Sequence, residues 1–489
     1  MKTIIPEKLQ RHMSFTETAT AVFAIAAVSV FILVNLIFGY SLYLYTFVAL
    51  IGFLFAVFYP RAGVYAIVFL TFVFERFFTL VPIFWNRAEY KIYPLDILFV
   101  GVIAGTILAG VRHLQNVRFK IVDWLVAIFI LASAAYFFVS AYFLHADPSI
   151  AFSTFKNYAF YGLFYFVILF LFQSEKDLFQ LMKFMLAGAA AITIFIFIGI
   201  LRGEGLWTAF TPLSTPGTRI LAFPHAFYLT MAVLVSLAWI ALKKSKTNNF
   251  LYILIPVWMV GIVGSLMRHL WISLFVSAII LFWLLPLEKR RALKKIFFRY
   301  AFWTAILLAF LAYVSFLFPT SSVSKTFSSA VGVAGKRFAS TAQVSSDESL
   351  NWRRNVWQSA WTEFKKTPLL GIGYGKKLSV EIGAKYRDFV EVRNIHNSLL
   401  TIFIQMGLWS VVLFGAMFWL LAKPAFEKIK RAKDNLEGGQ LLLLAVFLTL
   451  FANYLIAFLF QTYLETNLLG MFFWIITGAL RITYEYTNK

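Results

Sequence analysis

The sequence predicts an all-α integral membrane protein: a polytopic bundle of about twelve to fourteen helices with one long, partly helical loop. Three observations lead there. The chain is 61% hydrophobic and only 13% charged, with a mean hydropathy of +0.79. Apolar runs of about 20 residues recur along its length, each enough to cross a hydrocarbon core about 30 Å thick as a helix. Those runs are too long and too evenly apolar for barrel strands, and in lipid only helices or closed barrels satisfy every backbone group.

About fourteen runs qualify, near 18–38, 41–59, 62–84, 95–111, 121–144, 157–173, 178–200, 220–242, 250–266, 269–286, 300–318, 396–421, 440–460 and 463–481. The first is too long for a signal peptide and reads as a retained helix. The short loops then set orientation. With Lys2, Lys8 and Arg11 cytoplasmic, so are Arg112, Arg118 and Lys120, then Lys243, Lys244 and Lys246, then Lys289 to Arg299, and finally Lys423 to Lys433. The short alternate loops carry fewer cations, and 319–395 falls on the outer side; it is basic too, but loops beyond about 60 residues escape the rule. Residues 1–489 therefore read as a single polytopic membrane domain with the loop 319–395 inserted between two of its helices. This distribution accounts for much of the net charge of +22 without nucleic acid as a partner. The absence of cysteine excludes disulfides, Fe–S clusters and Cys-zinc sites.

Ionisable residues near membrane depth are costly and are functional candidates. Three basic groups meet on the outer side. Arg219 stands in Thr215-Pro-Gly-Thr-Arg219-Ile-Leu-Ala-Phe-Pro-His225, Arg268 in Gly264-Ser-Leu-Met-Arg268-His269, and His396 heads the helix that follows the long loop. Two readings are open for the arginines, a functional one and simple snorkelling to the headgroups. His269 reads as an orienting partner for Arg268, His225 as a packed helix residue, and Glu75, Arg76 and Asp96 as structural pairs. Glu465 stands at the start of the last span, within possible reach of the site.

The loop has its own pattern. Arg353, Arg354 and Trp357, flanked by Trp352 and Trp361, place cations and aromatics at helical spacing, where the tryptophans could meet a sugar or lipid surface. Beyond Pro368, Gly371, Gly373 and Gly375 permit a tight turn whose amides could line an anion site; a turn that only packs on the membrane surface is the alternative.

Together, Arg353-x-x-x-Trp357, Thr367-Pro-Leu-Leu-Gly371-Ile-Gly373, His396-Asn397-Ser-Leu-Leu400 and Gly407-Leu resemble the signature of the O-antigen ligase and polymerase superfamily. Ser265-Leu-Met-Arg268 and Arg219-Ile-Leu-Ala-Phe-Pro224 are similar to its upstream arginine elements. The strongest resemblance covers about 353–410. Ala222, Phe223, His225 and Met267 depart from the pattern, which touches helix contacts rather than the arginines.

The resemblance implies a GT-C-like enzyme of the bacterial inner membrane, multi-pass, with its site and loop facing the periplasm. Its donor would be a glycan on undecaprenyl diphosphate and its acceptor another glycan, lipid A–core for a ligase or a growing polysaccharide for a polymerase. A protein O-oligosaccharyltransferase shares the donor chemistry. The alternative of another class, a lipid-linked glycan flippase or transporter, predicts repeated halves with broken helices, and the chain shows no internal repeat. Within the implied reaction His396 is the expected general base, and Arg219 and Arg268 hold the diphosphate in place of a metal. Arg353, Arg354, Trp357, Gly371, Gly373, Asn397 and His269 are expected to bind substrate. No cofactor or metal is expected, since no outer cluster of carboxylates stands ready to hold an ion.

Overall fold

The structure, a computed structural model, describes residues 7–38, 41–80, 83–85, 90–113, 117–202, 219–243, 247–320, 332, 335, 348–382, 388–432 and 438–486. It is helical almost throughout. In chain order come α1 (Glu7–Phe38), α2 (Leu42–Phe58), α3 (Pro60–Leu80), a short antiparallel ribbon of β1 (Ile83–Trp85) and β2 (Tyr90–Ile92), and α4 (Pro94–His113). Next are α5 (Ile121–Phe138), α6 (Pro148–Phe155), α7 (Phe164–Leu171), α8 (Glu175–Arg202), α9 (Phe223–Leu242), α10 (Thr247–Gly264), α11 (Arg268–Leu284) and α12 (Leu287–Leu317). The long loop contributes α13 (Glu348–Phe364) and the hairpin of β3 (Leu378–Ile382) and β4 (Asp388–Val392). The chain continues through α14 (Ser398–Met406), α15 (Leu408–Ala432), α16 (Gly438–Phe458) and α17 (Asn467–Tyr486).

Each expected span coincides with helix over most of its length; the third, expected to run to 84, ends at Leu80, and Ile83–Trp85 form a strand. Among the described residues nine helices are long and apolar enough to cross a membrane, and four shorter apolar ones stand beside them. The remaining span is the apolar second half of α12, whose first half carries Lys289 to Arg299. Local chemistry sets the boundaries. The Ser41 hydroxyl caps α2 at the amide of Leu44, and Pro60 opens α3 where no amide donor is needed. Asp147 caps α6 through the amides of Ser149 and Ile150.

One expectation needs correction. The segment 396–421 is not one helix: α14 stops at Gly407, whose φ of 89° breaks the helical path before α15 begins. A Cβ there would lie 2.0 Å from the carbonyl oxygen of Leu369, so the loop passes too close for any side chain.

The apolar windows of α9, α16 and α17 are 89%, 83% and 94% buried, against 17% for α1 at the edge. Charges inside the bundle are paired. Arg481 of α17 grips Asp123 of α5 with two bonds of 2.9 and 2.7 Å, and Tyr165 donates to the same carboxylate at 2.5 Å. Asp96 does pair, and its partner is Lys156, at 2.6 Å, with Tyr161 donating to its other oxygen. The side chains of Glu75 and Arg76 lie outside the described residues.

The molecule has two distinct ends. Loops that charge alternation assigns to one side meet one another: Lys120 pairs with Glu485, Lys428 donates to Tyr484 and Gln440 to Glu175. At the other end the 369–375 turn packs on the start of α6, the Arg219 segment bonds the α10–α11 turn, and the α16–α17 connection meets the His396 segment. There the long loop builds a small core of its own. Val356, Ala360, Phe364, Ile372, Leu378, Val380 and Ile395 close over Ile404 of α14, with Trp352 and Phe403 against them.

Candidate active site

His396 sits between the loop's core and α14, and the backbone on both sides is held. Before it, the Trp357 indole donates to the carbonyl of Ile395 at 2.7 Å. After it, Asn397 Oδ1 accepts from the amide of Leu400 at 3.0 Å, capping α14, while its Nδ2 donates to Leu459. Between these anchors His396 adopts a φ of 58°, a left-handed conformation that costs a non-glycine residue about 1–2 kcal/mol. Such outliers gather where geometry serves a function.

Its ring is oriented from elsewhere. The Nδ1 atom lies 2.6 Å from Oε1 of Gln461, in the α16–α17 connection. With an amide oxygen as partner Nδ1 donates, so Nε2 is the ring nitrogen that can take up a proton. Burial and the charge of Arg353 push the imidazole below its ordinary pKa, against the pull of the Gln461 bond, so the ring is neutral at pH 7.

The same connection reaches a second histidine. The Tyr463 hydroxyl lies 2.7 Å from Nε2 of buried His269. His269 in turn feels the charges of Arg353 and Arg219 and lies near His396, so four basic residues from four parts of the chain share one small region. Arg268 heads α11 beside His269, half-buried. The turn that delivers both is tight: Leu266 takes a φ of 57°, and Ser265 Oγ accepts from the amide of Met267 at 3.4 Å. Arg219 is brought to this turn by the amide of Ile220, which donates to the carbonyl of Gly264 at 3.0 Å. Gly264 permits this approach, because a Cβ there would meet Ile220 at 2.5 Å.

The glycine turn serves differently from its expected role. Gly371, Gly373 and Gly375 have φ of 69°, 87° and 81°, so the tight turn is there. Its amides are not open to an anion. Those of Gly371, Ile372 and Gly373 bond the carbonyls of Thr367, Ile404 and Gln405, and that of Tyr374 bonds Ser140 Oγ. The turn thus caps the C-terminal carbonyls of α14, which a helix end leaves unpaired. Trp361 packs on Phe364 and Phe403 within the loop's core, and Trp357, 37% exposed, anchors the His396 backbone. Arg354 is exposed, about 100° around α13 from Arg353. His225 is fully buried with Nε2 3.3 Å from the carbonyl of Val73, the packed role expected of it.

Three residues of the α16–α17 connection escape sequence reasoning or nearly so: Gln461, Tyr463 and Glu465. The Oε1 of Glu465 accepts from the Tyr158 hydroxyl at 3.1 Å, and its carbonyl accepts from Asn157 at 2.6 Å. Among the described residues no three His, Asp or Glu side chains group as metal ligands do.

A family model described as O-antigen ligase matches residues 250–415. Over that segment, about a third of its length, the chain is similar to the O-antigen ligase family. The match runs from α10 into α15 and takes in Arg268, His269, Arg353, the glycine turn and His396, while Arg219 precedes it. The match supports activity of the O-antigen ligase and polymerase type, and the apolar helices make the chain a multi-pass membrane protein. No curated protein matches the chain.

Proposed function

We propose that this chain is an enzyme of the O-antigen ligase type, transferring a glycan from undecaprenyl diphosphate to a sugar hydroxyl on the periplasmic side of a bacterial inner membrane. The acceptor is lipid A–core in the ligase reading. One observation carries the mechanism: a neutral His396, with Nδ1 committed to Gln461 and Nε2 open to a proton, stands among basic groups that suit a diphosphate.

The reaction is a single displacement. The acceptor oxygen attacks the anomeric carbon as its proton passes to Nε2 of His396. The bond between that carbon and the phosphate oxygen breaks, the electron pair leaves with undecaprenyl diphosphate, and the anomeric configuration inverts. Arg219 and Arg268 bind the diphosphate and stabilise the charge that develops on the leaving oxygen, with Arg353 adding to the field. Such cations act most strongly where water is excluded, and no metal ion is required of them.

The test compares variants of purified protein with lipid-linked donor. His396→Ala should lower transfer by about 10²–10⁴ while donor binding survives. Arg219→Ala and Arg268→Ala should each weaken donor binding by about 1.5–3 kcal/mol, with lysine restoring only part, because it lacks the planar fork. Transfer should persist in excess EDTA. A folded His396→Ala protein working at near wild-type rate would remove the proposed base. Offering lipid A–core against a second lipid-linked repeat unit separates a ligase from a polymerase.

A further inference from the structure

The groups that share a field with His269 and His396 are basic, as a diphosphate requires. Glu465 is out of character beside them. It lies four residues after Gln461 and two after Tyr463, the residues that bond His396 and His269. Four residues of chain span at most about 14 Å, so its backbone is within the reach of one or two sugar rings from the His396 partner.

The carboxylate is held without being used up. One oxygen accepts from Tyr158, and Gln405 bonds the same group. The main-chain carbonyl of Glu465 is fixed by Asn157. The residue as a whole is half-buried. Asn157 and Tyr158 stand on a turn of π-helix, Lys156–Phe160, a distortion often found at functional sites. Asn157 is fully buried, and its Oδ1 has no protein donor among the described residues, which leaves an acceptor for a water or a ligand hydroxyl. Burial raises the Glu465 carboxyl from its ordinary pKa, while Arg393 and the bonds from Tyr158 and Gln405 work to keep it charged.

A carboxylate repels a diphosphate and attracts hydroxyl donors, with which it forms short, charge-assisted bonds. We therefore propose that Glu465 is a binding group for the acceptor glycan: it accepts hydroxyls of the acceptor sugar and so sets the attacking oxygen toward Nε2 of His396. The site is divided by charge, with cations for the lipid-linked donor and a carboxylate for the neutral polyol. This inference rests on the proposed glycan transfer.

The experiment uses purified full chain, a lipid-linked O-antigen donor and lipid A–core as the acceptor probe. Glu465→Gln keeps the oxygen that Tyr158 bonds but removes the charge. It should raise the acceptor KM about tenfold or more, with donor affinity and slow hydrolysis of the donor by water within about twofold of wild type. Arg393→Gln, at an exposed side chain, should move the acceptor KM in the same direction, because it removes the cation that favours the charged carboxylate. An unchanged acceptor KM in folded Glu465→Gln overturns the proposal, as does an equal loss of donor binding and hydrolysis. Should Glu465→Gln not fold, an acceptor KM unmoved by Arg393→Gln overturns it. Failure of the underlying reading looks different: the wild-type protein itself would transfer nothing to the acceptor.

Discussion

Gln461 decides which nitrogen of His396 can work. Its amide oxygen accepts a hydrogen bond from Nδ1–H, leaving Nε2 as the acceptor. Replacing it by glutamate puts a negative charge against the ring and stabilises the imidazolium, so the histidine pKa rises. The base then stays protonated to higher pH. For Gln461→Glu the acid limb of the pH–rate profile should therefore move up by about one unit or more, while Gln461→Leu should lower the rate without that upward shift. A limb that stays in place in Gln461→Glu would mean that His396 is not the group seen in the profile. The charged group facing the ring, Arg353, pushes the opposite way and does not mimic the effect. His396 was legible in the sequence because a polar loop delivers an imidazole to a helix start. Gln461 was not, because it lies 65 residues away in a segment with no local pattern, and only the fold joins them. Asn397 shows the converse. It looked like a substrate contact, but Oδ1 caps α14 and Nδ2 holds the α16–α17 connection, a role that an Asn before an apolar run already signals.

At the scale of elements, the glycine turn and α14 form one unit. Gly371 and Gly407 are enforced by both conformation and space. A Cβ at Gly371 would lie 2.5 Å from the carbonyl oxygens of Ile404 and Gln405, and one at Gly407 would strike Leu369. At Gly373 the obstacle is the end of the Leu144 side chain, which can move. Gly373→Ala should thus cost about 1–2 kcal/mol, the left-handed penalty alone. Gly407→Ala should cost more, because backbone must shift, and should reduce transfer by displacing α14 and with it His396. Thermal unfolding in detergent ranks the two, and an equal or reversed order would mean that the turn does not clamp α14. The turn itself was readable from glycine spacing. The destination of its amides was not, since a sequence cannot show that a helix end is waiting for them. The hairpin of β3 and β4 was also missed. The loop was read for helix-spaced aromatics, whereas these strands are only five residues each.

At the scale of the whole molecule, hydropathy located the spans because crossing a bilayer constrains length and polarity more than sequence detail. It could not rank them. The central α9, α16 and α17 are no more apolar than the peripheral helices, and packing distinguishes them. The pairs Lys156–Asp96 and Arg481–Asp123 were equally hidden, with partners 60 and 358 residues apart. Charge alternation predicted which loops share an end, and their contacts agree. Which end faces out is a prediction to test. The chain has no cysteine, so single cysteines report cleanly. Lys377→Cys in the long loop should react with an impermeant thiol reagent in intact cells, and Lys294→Cys should not. The opposite pattern would invert the orientation and place the site in the cytoplasm.

The Arg481–Asp123 grip also bears on how the protein is made. Asp123 enters the membrane early in translation, while its partner lies on α17, which the ribosome delivers after every other helix described here. The connection that carries Gln461, Tyr463 and Glu465 runs directly into that helix. Until α17 docks, an acidic group inside the nascent bundle lacks its cation, a state that costs several kcal/mol and marks the chain as unfinished. The histidine lacks its orienting amide for the same interval. Assembly and competence are thereby completed in one event, and a half-built chain in the membrane holds no aligned machinery to spend lipid-linked glycan on water.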